Sequence, residues 1–197
     1  MNIFMKSIYG GIFISLGAFA ASMFSKPING MIFSIGLILI VLAQQKLFTG
    51  DILSAKNGIT KKVVENWINI YIGNFIGCLI FAYCISHSNY DISSLLQIGE
   101  TKAALTLYPC FLRGIFCNVL VCSAVFLASI SKDIISKIVS IVFPITVFIV
   151  CGFEHSVANM FYYTIANTSY INLIPVTLGN IIGGFLIIPL VKNYIEK

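Results

Sequence analysis

The sequence predicts an all-α integral membrane protein with six membrane-crossing helices, and three observations predict this class. Of the 197 residues, 58% are hydrophobic and only 10% are charged, whereas soluble domains carry about 25% charged residues. Apolar runs of roughly 20 residues, the length that crosses a hydrocarbon core, recur between short polar segments. Two runs contain polar breaks, and the two halves of the chain resemble each other. The composition excludes an ordinary soluble enzyme and favours one membrane domain over residues 1–197.

Charged residues and Gly, Pro or Asn clusters bound the predicted helices. The helices are placed near residues 7–25, 30–46, 63–86, 103–130, 135–151 and 172–191. Shorter apolar pieces follow the second and fifth helices, at about 51–55 and 155–165. These two helices are therefore predicted to be broken, at 44–51 and 151–155. Irregular backbone at membrane depth is tolerated only where it is buried in protein or lines a water-filled cavity.

Lysines between the apolar runs predict the orientation in the membrane. The first run lacks a small-residue cleavage site, which favours a retained helix over a signal peptide. One side of the predicted topology has only Lys26 and Lys102 in its loops. The other side carries Lys6, Lys56, Lys61, Lys62, Lys132, Lys137, Lys192 and Lys197. The positive-inside rule then predicts a multi-pass protein of the cytoplasmic membrane with both termini in the cytoplasm.

Neither the charge nor the cysteines indicate a nucleic-acid partner, a metal or a cofactor. The net charge is +5, but the lysines lie between apolar runs and form no basic patch interleaved with aromatics. No CxxC pair has a matching partner pair, so we interpret the cysteines as small buried residues and expect no disulfide or metal site. The six are Cys78, Cys84, Cys110, Cys117, Cys122 and Cys151.

An internal repeat relates the two halves of the chain. Gly-Asn-Phe-Ile-Gly at 73–77 matches Gly-Asn-Ile-Ile-Gly at 179–183, and the same offset of 106 carries Thr49 in the first break onto His155 in the second. Each half, about 7–86 and 103–191, holds three helices, an odd number, so the second half must run in the opposite sense. The broken helices of such folds meet near the membrane midplane, which predicts that Thr49 and His155 face each other.

His155 is the first candidate site residue, because an ionisable side chain at membrane depth is a functional hypothesis by default. A pore histidine donates a hydrogen bond while neutral and attracts an anion when protonated. The alternative is a buried neutral imidazole that hydrogen-bonds a backbone carbonyl. Thr49 would add a hydroxyl donor from the facing break, or would serve only as a helix cap.

Further polar side chains lie near these breaks. Glu154 would repel an anion if it faced the pore, so we expect it to point away and to be paired, with Asn118 as the candidate partner. Asn159 follows on the same segment and is a further candidate pore residue. Asn159, Asn74 and Asn180 are equally consistent with hydrogen bonds that hold helices together.

Lys102 and Arg113 are predicted near the outer end of the fourth helix, where they would form a positive funnel for anions. For Lys102 the alternative is a lysine that snorkels to the membrane surface. No Walker loop, HExxH, paired CxxC or GxSxG motif occurs in the sequence. The chain is therefore not expected to be an enzyme.

Four segments carry a resemblance to a known family. They are Leu-Phe-Thr-Gly at 47–50, Arg-Gly-Ile-x-Cys-Asn at 113–118, Gly-Phe-Glu-His-Ser-Val-Ala-Asn-Met at 152–160, and Asn-Leu-Ile-Pro-Val-Thr-x-Gly-Asn-Ile-Ile-Gly-Gly at 172–184. The chain resembles the formate/nitrite transporter family from about Gly11 onward. The resemblance implies an aquaporin-like protomer with its own pore, assembled as a homopentamer in the lipid bilayer, which passes formate, nitrite, hydrosulfide and related small anions.

The matching positions imply residue roles. The resemblance makes His155 the central pore histidine and Thr49 its partner on the loop that breaks the second helix. Asn118 and Glu154 would belong to the polar network around the histidine, and Lys102 matches the vestibule lysine.

The resemblance also implies apolar constrictions above and below the histidine. Phe33 with Phe148 would form one, and Leu37, Leu47 and Phe48 the other. One departure is Lys46, because the family pattern usually has an acidic residue before Leu-Phe-Thr.

These constrictions predict proton-coupled transport. A bare anion between phenylalanine rings loses its hydration at a cost of many kcal/mol. We therefore expect an anion to be attracted by Lys102 and Arg113, to take a proton at or near His155, and to pass the rings as a neutral acid. The alternatives are a hydrosulfide-selective member of the same family, a neutral-solute pore, a membrane redox protein and a purely structural subunit. The chain lacks the paired Asn-Pro-Ala motifs that would support a neutral-solute pore. It also lacks the paired histidines or CxxC that a membrane redox protein would need.

Overall fold

The structure, a computed structural model, describes residues 1–195. Lys197, one of the lysines used to predict topology, lies outside these residues, as do the last two positions of the predicted domain. The described chain is helical and contains no strand. Its elements are α1 Ile3–Ser22, α2 Ile28–Leu42, α3 Phe48–Asp51, a 3₁₀ helix Ile52–Asn57, α4 Lys61–Ser86, α5 Ser93–Ala103, α6 Leu107–Ile130, α7 Ile134–Val150, α8 Ser156–Ile165 and α9 Leu173–Ile195.

Both predicted helix breaks are present. After α2, the chain turns through Gln44, which has a positive φ of 53°, and is extended at Leu47 before α3 begins. After α7, it turns through Gly152, at φ 67°, and is extended at His155 before α8 begins. The left-handed backbone at Gly152 suits glycine, which lacks a Cβ. The predicted piece at 155–165 corresponds to α8, and the piece at 51–55 lies within α3 and the 3₁₀ helix.

Helix α5 was not predicted, and its position corrects the placement of Lys102. The fourth predicted helix was expected to start near 103, but α6 begins at Leu107 and Lys102 lies in the last turn of the separate helix α5. Residues 93–103 are too polar to form an apolar run, so the pattern of apolar runs did not predict this helix. It is held against α8, where a Cβ added at Gly99 would lie 2.6 Å from the carbonyl oxygen of Tyr162.

Two pairs of long helices pack closely through glycine. Helix α1 packs against α4, and a Cβ added at Gly11 would lie 2.0 Å from the carbonyl oxygen of Asn74. Helix α6 packs against α9, and a Cβ added at Gly179 would lie 2.2 Å from the carbonyl oxygen of Phe111. Small residues at such contacts let backbones approach closely within membranes. Helices α2 and α7 pack against each other between these pairs.

The lengths of the helices and the residues they expose indicate a membrane protein. Among residues 1–195, four helices are long and apolar enough to cross a bilayer, and they are α1, α4, α6 and α9. Helices α2 and α7 are apolar but have only 15 and 17 residues, fewer than the roughly 20 that a crossing needs. Large apolar side chains such as Ile68, Ile72, Leu186 and Leu190 are exposed on the outer surface.

Candidate functional site

The two helix breaks meet in the core of the protein. Thr49 is the second residue of α3, and His155 immediately precedes α8. Thr49 Oγ1 and His155 Nε2 are 2.9 Å apart, and both residues are buried. The two side chains face each other and are in contact, as the repeat predicted. They are not equivalent residues of the two halves, because Leu47 precedes α3 as His155 precedes α8.

The hydrogen bonds of His155 define its tautomer. The backbone N–H of Ala158 donates to Nδ1 of the ring at 3.1 Å, so Nδ1 acts as an acceptor and carries no hydrogen. The neutral ring therefore has its hydrogen on Nε2 and donates it to Thr49 Oγ1. The hydroxyl hydrogen of Thr49 then remains free to donate. A proton added at Nδ1 would displace the Ala158 bond, so the site presents donors without a charged ring.

Two side chains of α6 hold Thr49 from behind. Its carbonyl oxygen accepts from Asn118 Nδ2 at 3.1 Å and from Cys122 Sγ at 3.3 Å. Asn118 Nδ2 also donates to the carbonyl oxygen of Asn180 at 2.6 Å. The prediction that Asn118 pairs with Glu154 is therefore wrong. On α6, Asn118 faces α3 and α9, whereas the backbone of Arg113, more than one turn earlier, is the part that contacts Glu154.

Asn74 fixes the first break. Its Oδ1 accepts from the backbone N–H of Phe48 at 2.9 Å, at the start of α3. Its Nδ2 donates to the carbonyl oxygens of Lys46 and Ser7 at 2.9 and 2.6 Å. One amide thus binds both sides of the break and joins it to α1.

Asn180 makes the same set of bonds at the second break. Its Oδ1 accepts from the backbone N–H of Ser156 at 2.9 Å. Its Nδ2 donates to the carbonyl oxygens of Glu154 and Gly114 at 3.0 and 2.8 Å. The interpretation of Asn180 as an interhelical hydrogen-bonding residue is confirmed, and so is the same interpretation of Asn74.

Glu154 is paired, as predicted, but with Lys102 and Asn159. The carboxylate is 1% exposed. Its Oε1 lies 2.8 Å from Lys102 Nζ, and its Oε2 accepts from Asn159 Nδ2 at 2.6 Å. Asn159 Nδ2 also lies 3.2 Å from Tyr163 Oη. The side chain of Lys102 is only 17% exposed and its Nζ lies 5.9 Å from the ring centre of Tyr162, so it does not snorkel freely.

One cavity, of about 400 Å³, opens onto the histidine. We call it the His155 cavity. Its lining includes His155, Glu154, Lys102, Arg113 and Lys26. The expectation that Glu154 points away from this space is therefore wrong, although the acid is paired. The predicted funnel residues thus share one cavity with the histidine. Lys26 was not predicted for the site. Its Nζ donates to the carbonyl oxygen of Val150, the last residue of α7, at 2.6 Å.

A second cavity, of about 410 Å³, has a separate lining and is called the Lys46 cavity. Its lining includes Lys6, Lys46, Asp51, Leu37 and Leu47. Lys46 Nζ lies 2.8 Å from Asp51 Oδ1. The sequence marked Lys46 as unusual, but its pairing with Asp51 was not predicted. The signal for this pairing was the spacing of five positions across a helix break.

The five predicted constriction residues are all buried. The rings of Phe33 and Phe148 meet edge to face with centres 5.3 Å apart, and the ring of Phe148 stacks on the imidazole of His155 at 5.9 Å. Leu37 and Leu47 line the other cavity. Phe48 lines neither cavity and packs against Tyr71, with ring centres 4.9 Å apart.

A second contact joins residues separated by the repeat offset. Tyr71 Oη and Thr177 Oγ1 are 3.0 Å apart and 106 positions apart in sequence, like Thr49 and His155. Two equivalent residues of a repeat touch each other only near the axis that relates the halves. The contact of Tyr71 with Thr177, which lie at equivalent positions of α4 and α9, is therefore near the pseudo-two-fold axis.

The cysteines are free, and no cluster of three or more potential His, Cys, Asp or Glu metal ligands occurs within residues 1–195. Cys78, Cys110, Cys117 and Cys122 are buried, whereas Cys84 and Cys151 are exposed. The polar groups around His155 are neutral hydrogen-bond donors and the Lys102–Glu154 ion pair, beside apolar rings.

Together, the helical fold, the apolar outer surface and the polar contact between two helix breaks define a membrane protein of the channel or transporter class. A family model described as "Formate/nitrite transporter" matches residues 1–194. The chain belongs to the formate/nitrite transporter family, as its sequence motifs predicted.

Relatives described as formate transporters or formate channels are similar to this chain over most of their length. A "Probable formate transporter" of Methanothermobacter thermautotrophicus is 36% identical over 198 residues, covering 83% of this chain and 72% of the relative. "Formate channel FocA" of Haemophilus influenzae is 32% identical, covering 88% and 75%. These relatives are transporters and channels, not enzymes.

Solved structures share the fold. A "Pentameric formate channel with formate bound" has a TM-score of 0.85 and 26% sequence identity, covering 98% of this chain and 96% of that one. An "FNT family ion channel" has a TM-score of 0.81 and 27% identity, covering 97% and 87%.

Proposed function

We propose that this chain is a channel for small monovalent weak-acid anions of the formate and nitrite type, with one pore in each protomer. The observation that carries the proposal is the contact of 2.9 Å between Thr49 and His155, where two helix breaks meet beside a cavity lined by cations. Membership of a family whose relatives include formate channels supports the same class of solute.

The pore is built from one domain, residues 1–197, arranged as two inverted repeats at about 7–86 and 103–191. Each repeat crosses the membrane three times, and the short helices α3 and α8 complete the crossings that α2 and α7 begin. The equivalent hydrogen bonds of Asn74 and Asn180 support this arrangement. The contact of Tyr71 with Thr177, at equivalent positions of α4 and α9, supports a two-fold relation between the halves.

The anion enters through the His155 cavity. Lys102 neutralises Glu154 at 2.8 Å, so the buried acid presents little repulsion. Lys26 and Arg113 line the same cavity and add positive charge. A cleft with an excess of one charge raises the local concentration of the opposite ion.

The anion then meets the donors of the two breaks. The free hydroxyl hydrogen of Thr49 binds one oxygen of formate or nitrite, and the Nε2–H of His155 binds in turn as the contact between the two residues opens. These neutral donors replace part of the water shell of the ion. Asn118 and Cys122 hold the Thr49 backbone, and Asn159 binds the Glu154 carboxylate that Lys102 neutralises.

A proton that enters from solution through the His155 cavity combines with the ion beside His155, and the ion crosses as the neutral acid. Phe33 and Phe148 close one side of the histidine, and the leucines at 37 and 47, with Phe48 behind them, close the other. Because the rings offer no hydrogen bond to replace water, a bare anion would cross at a high desolvation cost. The neutral acid avoids most of this cost.

The protomers assemble as a homopentamer in the cytoplasmic membrane, with both termini in the cytoplasm. A similar solved structure is described as pentameric. The apolar side chains exposed on the outer helices would contact lipid and neighbouring protomers. The distribution of lysines supports the orientation. No nucleic acid, cofactor or metal is required.

Proteoliposome uptake tests the proposal. Formate, nitrite, hydrosulfide and chloride are compared with and without an inward proton gradient, for the native chain, His155→Ala and the control His87→Ala. His87 ends α4 and is exposed, so its loss should leave flux unchanged. We expect weak-acid flux that the gradient accelerates and that His155→Ala lowers at least tenfold.

Equal fluxes of chloride and formate would refute proton coupling. A preference for hydrosulfide over formate and nitrite would identify the hydrosulfide-selective alternative. Assembled protein with no anion flux would refute the channel for anions, and water or polyol flux would then become the measurement of interest.

A further inference from the structure

The Lys46 cavity has charged groups that the pathway above does not use. Its charged lining residues are Lys6, Lys46 and Asp51, which leaves one more positive than negative charge in the lining. The side chain of Asp51 is 9% exposed, whereas that of Lys46 is 39% exposed. The ammonium therefore bonds a nearly buried carboxylate on one side and is open to the cavity on the other.

Lys46 occupies the position in the first half that Glu154 occupies in the second. The carbonyl oxygen of Lys46 accepts from Asn74 Nδ2, and that of Glu154 accepts from Asn180 Nδ2. Each residue bonds the side chain five positions later: Lys46 bonds Asp51 and Glu154 bonds Asn159.

The two halves therefore hold the same pair with the charges exchanged. In the second half, an acid precedes an amide, and the cation that pairs with the acid, Lys102, comes from α5. In the first half, the cation itself stands at the break and the acid follows it. This exchange puts an ammonium at the first break, directly before Leu47 of the apolar constriction.

We infer that Lys46 is an anion-binding residue of the Lys46 cavity, an inference that rests on the proposed anion channel. A lysine ammonium has three donors, and Asp51 accepts from one of them. The exposed remainder can bind a small anion such as formate without breaking the ion pair. Asp51 holds the ammonium beside the constriction, so the anion is bound where it enters or leaves the apolar segment.

The size of the effect follows from the charge. A unit charge about 4 Å from an anion in a water-like medium changes its local concentration about fivefold. Removal of the ammonium should therefore raise the KM for formate about fivefold at the mouth that the Lys46 cavity serves. The KM at the other mouth should stay unchanged.

Initial rates of formate transport at varied concentration, in right-side-out and inside-out vesicles, measure this effect. The variants are Lys46→Gln, Lys46→Arg and the double variant Lys46→Gln/Asp51→Asn. The double variant keeps the net charge of the cavity and leaves no unpaired buried carboxylate, so it stays informative if Lys46→Gln assembles poorly. Lys61→Gln is the matched control, since Lys61 is 91% exposed at the start of α4.

We expect both glutamine variants to raise KM about fivefold at one mouth only, with Lys46→Arg and Lys61→Gln near the native value. A native KM for the double variant would overturn the inference, because net charge and not the ammonium would then matter. The inference would also be overturned if the KM of Lys46→Gln equalled that of the native chain at each of the two mouths. Absence of formate flux through the native chain would instead refute the proposed channel and the inference together.

Discussion

Replacement of Asn180 by alanine should loosen the second helix break and with it the pore. The side chain is fully buried and makes three hydrogen bonds: from the N–H of Ser156 and to the carbonyl oxygens of Gly114 and Glu154. Asn180→Ala leaves all three backbone groups without this partner. Because Ser156 directly follows His155, the position of the imidazole depends on these bonds.

The magnitude follows from the number of bonds. A buried polar group that loses its partner costs about 1–3 kcal/mol, and interhelical hydrogen bonds in membranes average about 0.6 kcal/mol. Three bonds therefore contribute about 2–5 kcal/mol. At about 2–4 °C per kcal/mol for a chain of this size, the thermal midpoint in detergent should fall by about 4–20 °C.

Thermal unfolding of the assembled protein and formate flux per assembled protein are the two measurements. We expect Asn180→Ala to lower the midpoint as stated and to lower flux at least tenfold. Asn193→Ala on the same helix is the matched control, since Asn193 is exposed. A midpoint within 1 °C of the native value, with native flux, would refute the assignment of Asn180 as the residue that fixes the second break.

Three further changes test the site. Cys122→Ala removes one donor to the Thr49 carbonyl at 3.3 Å, so flux should fall about two- to tenfold, whereas Cys122→Ser should retain it; equal flux for both would contradict this role. Lys102→Gln leaves the carboxylate of Glu154 buried and without its cation, at a cost of about 3–5 kcal/mol, so the thermal midpoint should fall. The midpoint should recover in the double variant Lys102→Gln/Glu154→Gln, and no recovery would show that the ion pair is not the cause. Gly179→Ala places a Cβ 2.2 Å from a carbonyl oxygen of α6 and should prevent assembly, as judged by size-exclusion chromatography, whereas normal assembly would mean that α6 and α9 can separate without cost.

The sequence predicted the breaks because they interrupt apolar runs. Polar residues at 44–51 and 151–155 stand where a continuous crossing would be apolar, and both breaks are present. It did not predict α5, since residues 93–103 are mostly polar and a search for membrane crossings passes over such a helix. Lys102 was consequently assigned to the wrong element, although its cavity was predicted correctly.

The partners of the buried polar residues were harder to predict. Glu154 was expected to be paired, but its cation lies 52 positions away on α5. Asn118 was assigned to the wrong partner because the repeat places its helix near the break but does not determine which face of α6 the side chain occupies. A helix turns about 100° per residue, so a shift of one position sends a side chain to a different neighbour.

The sequence by itself determined the membrane class, the two broken helices and the proximity of Thr49 to His155, because apolar length and the repeat are properties of the chain alone. It did not determine the register of the two breaks, in which Leu47 and not Thr49 corresponds to His155. Only the tertiary structure decided that Ala158 occupies Nδ1 of His155, that Cys122 holds Thr49, and that Asp51 holds Lys46. The physical reason is that a hydrogen bond requires two atoms within about 3 Å at a suitable angle. Helix rotation and backbone turns, which the sequence pattern leaves open, set those distances.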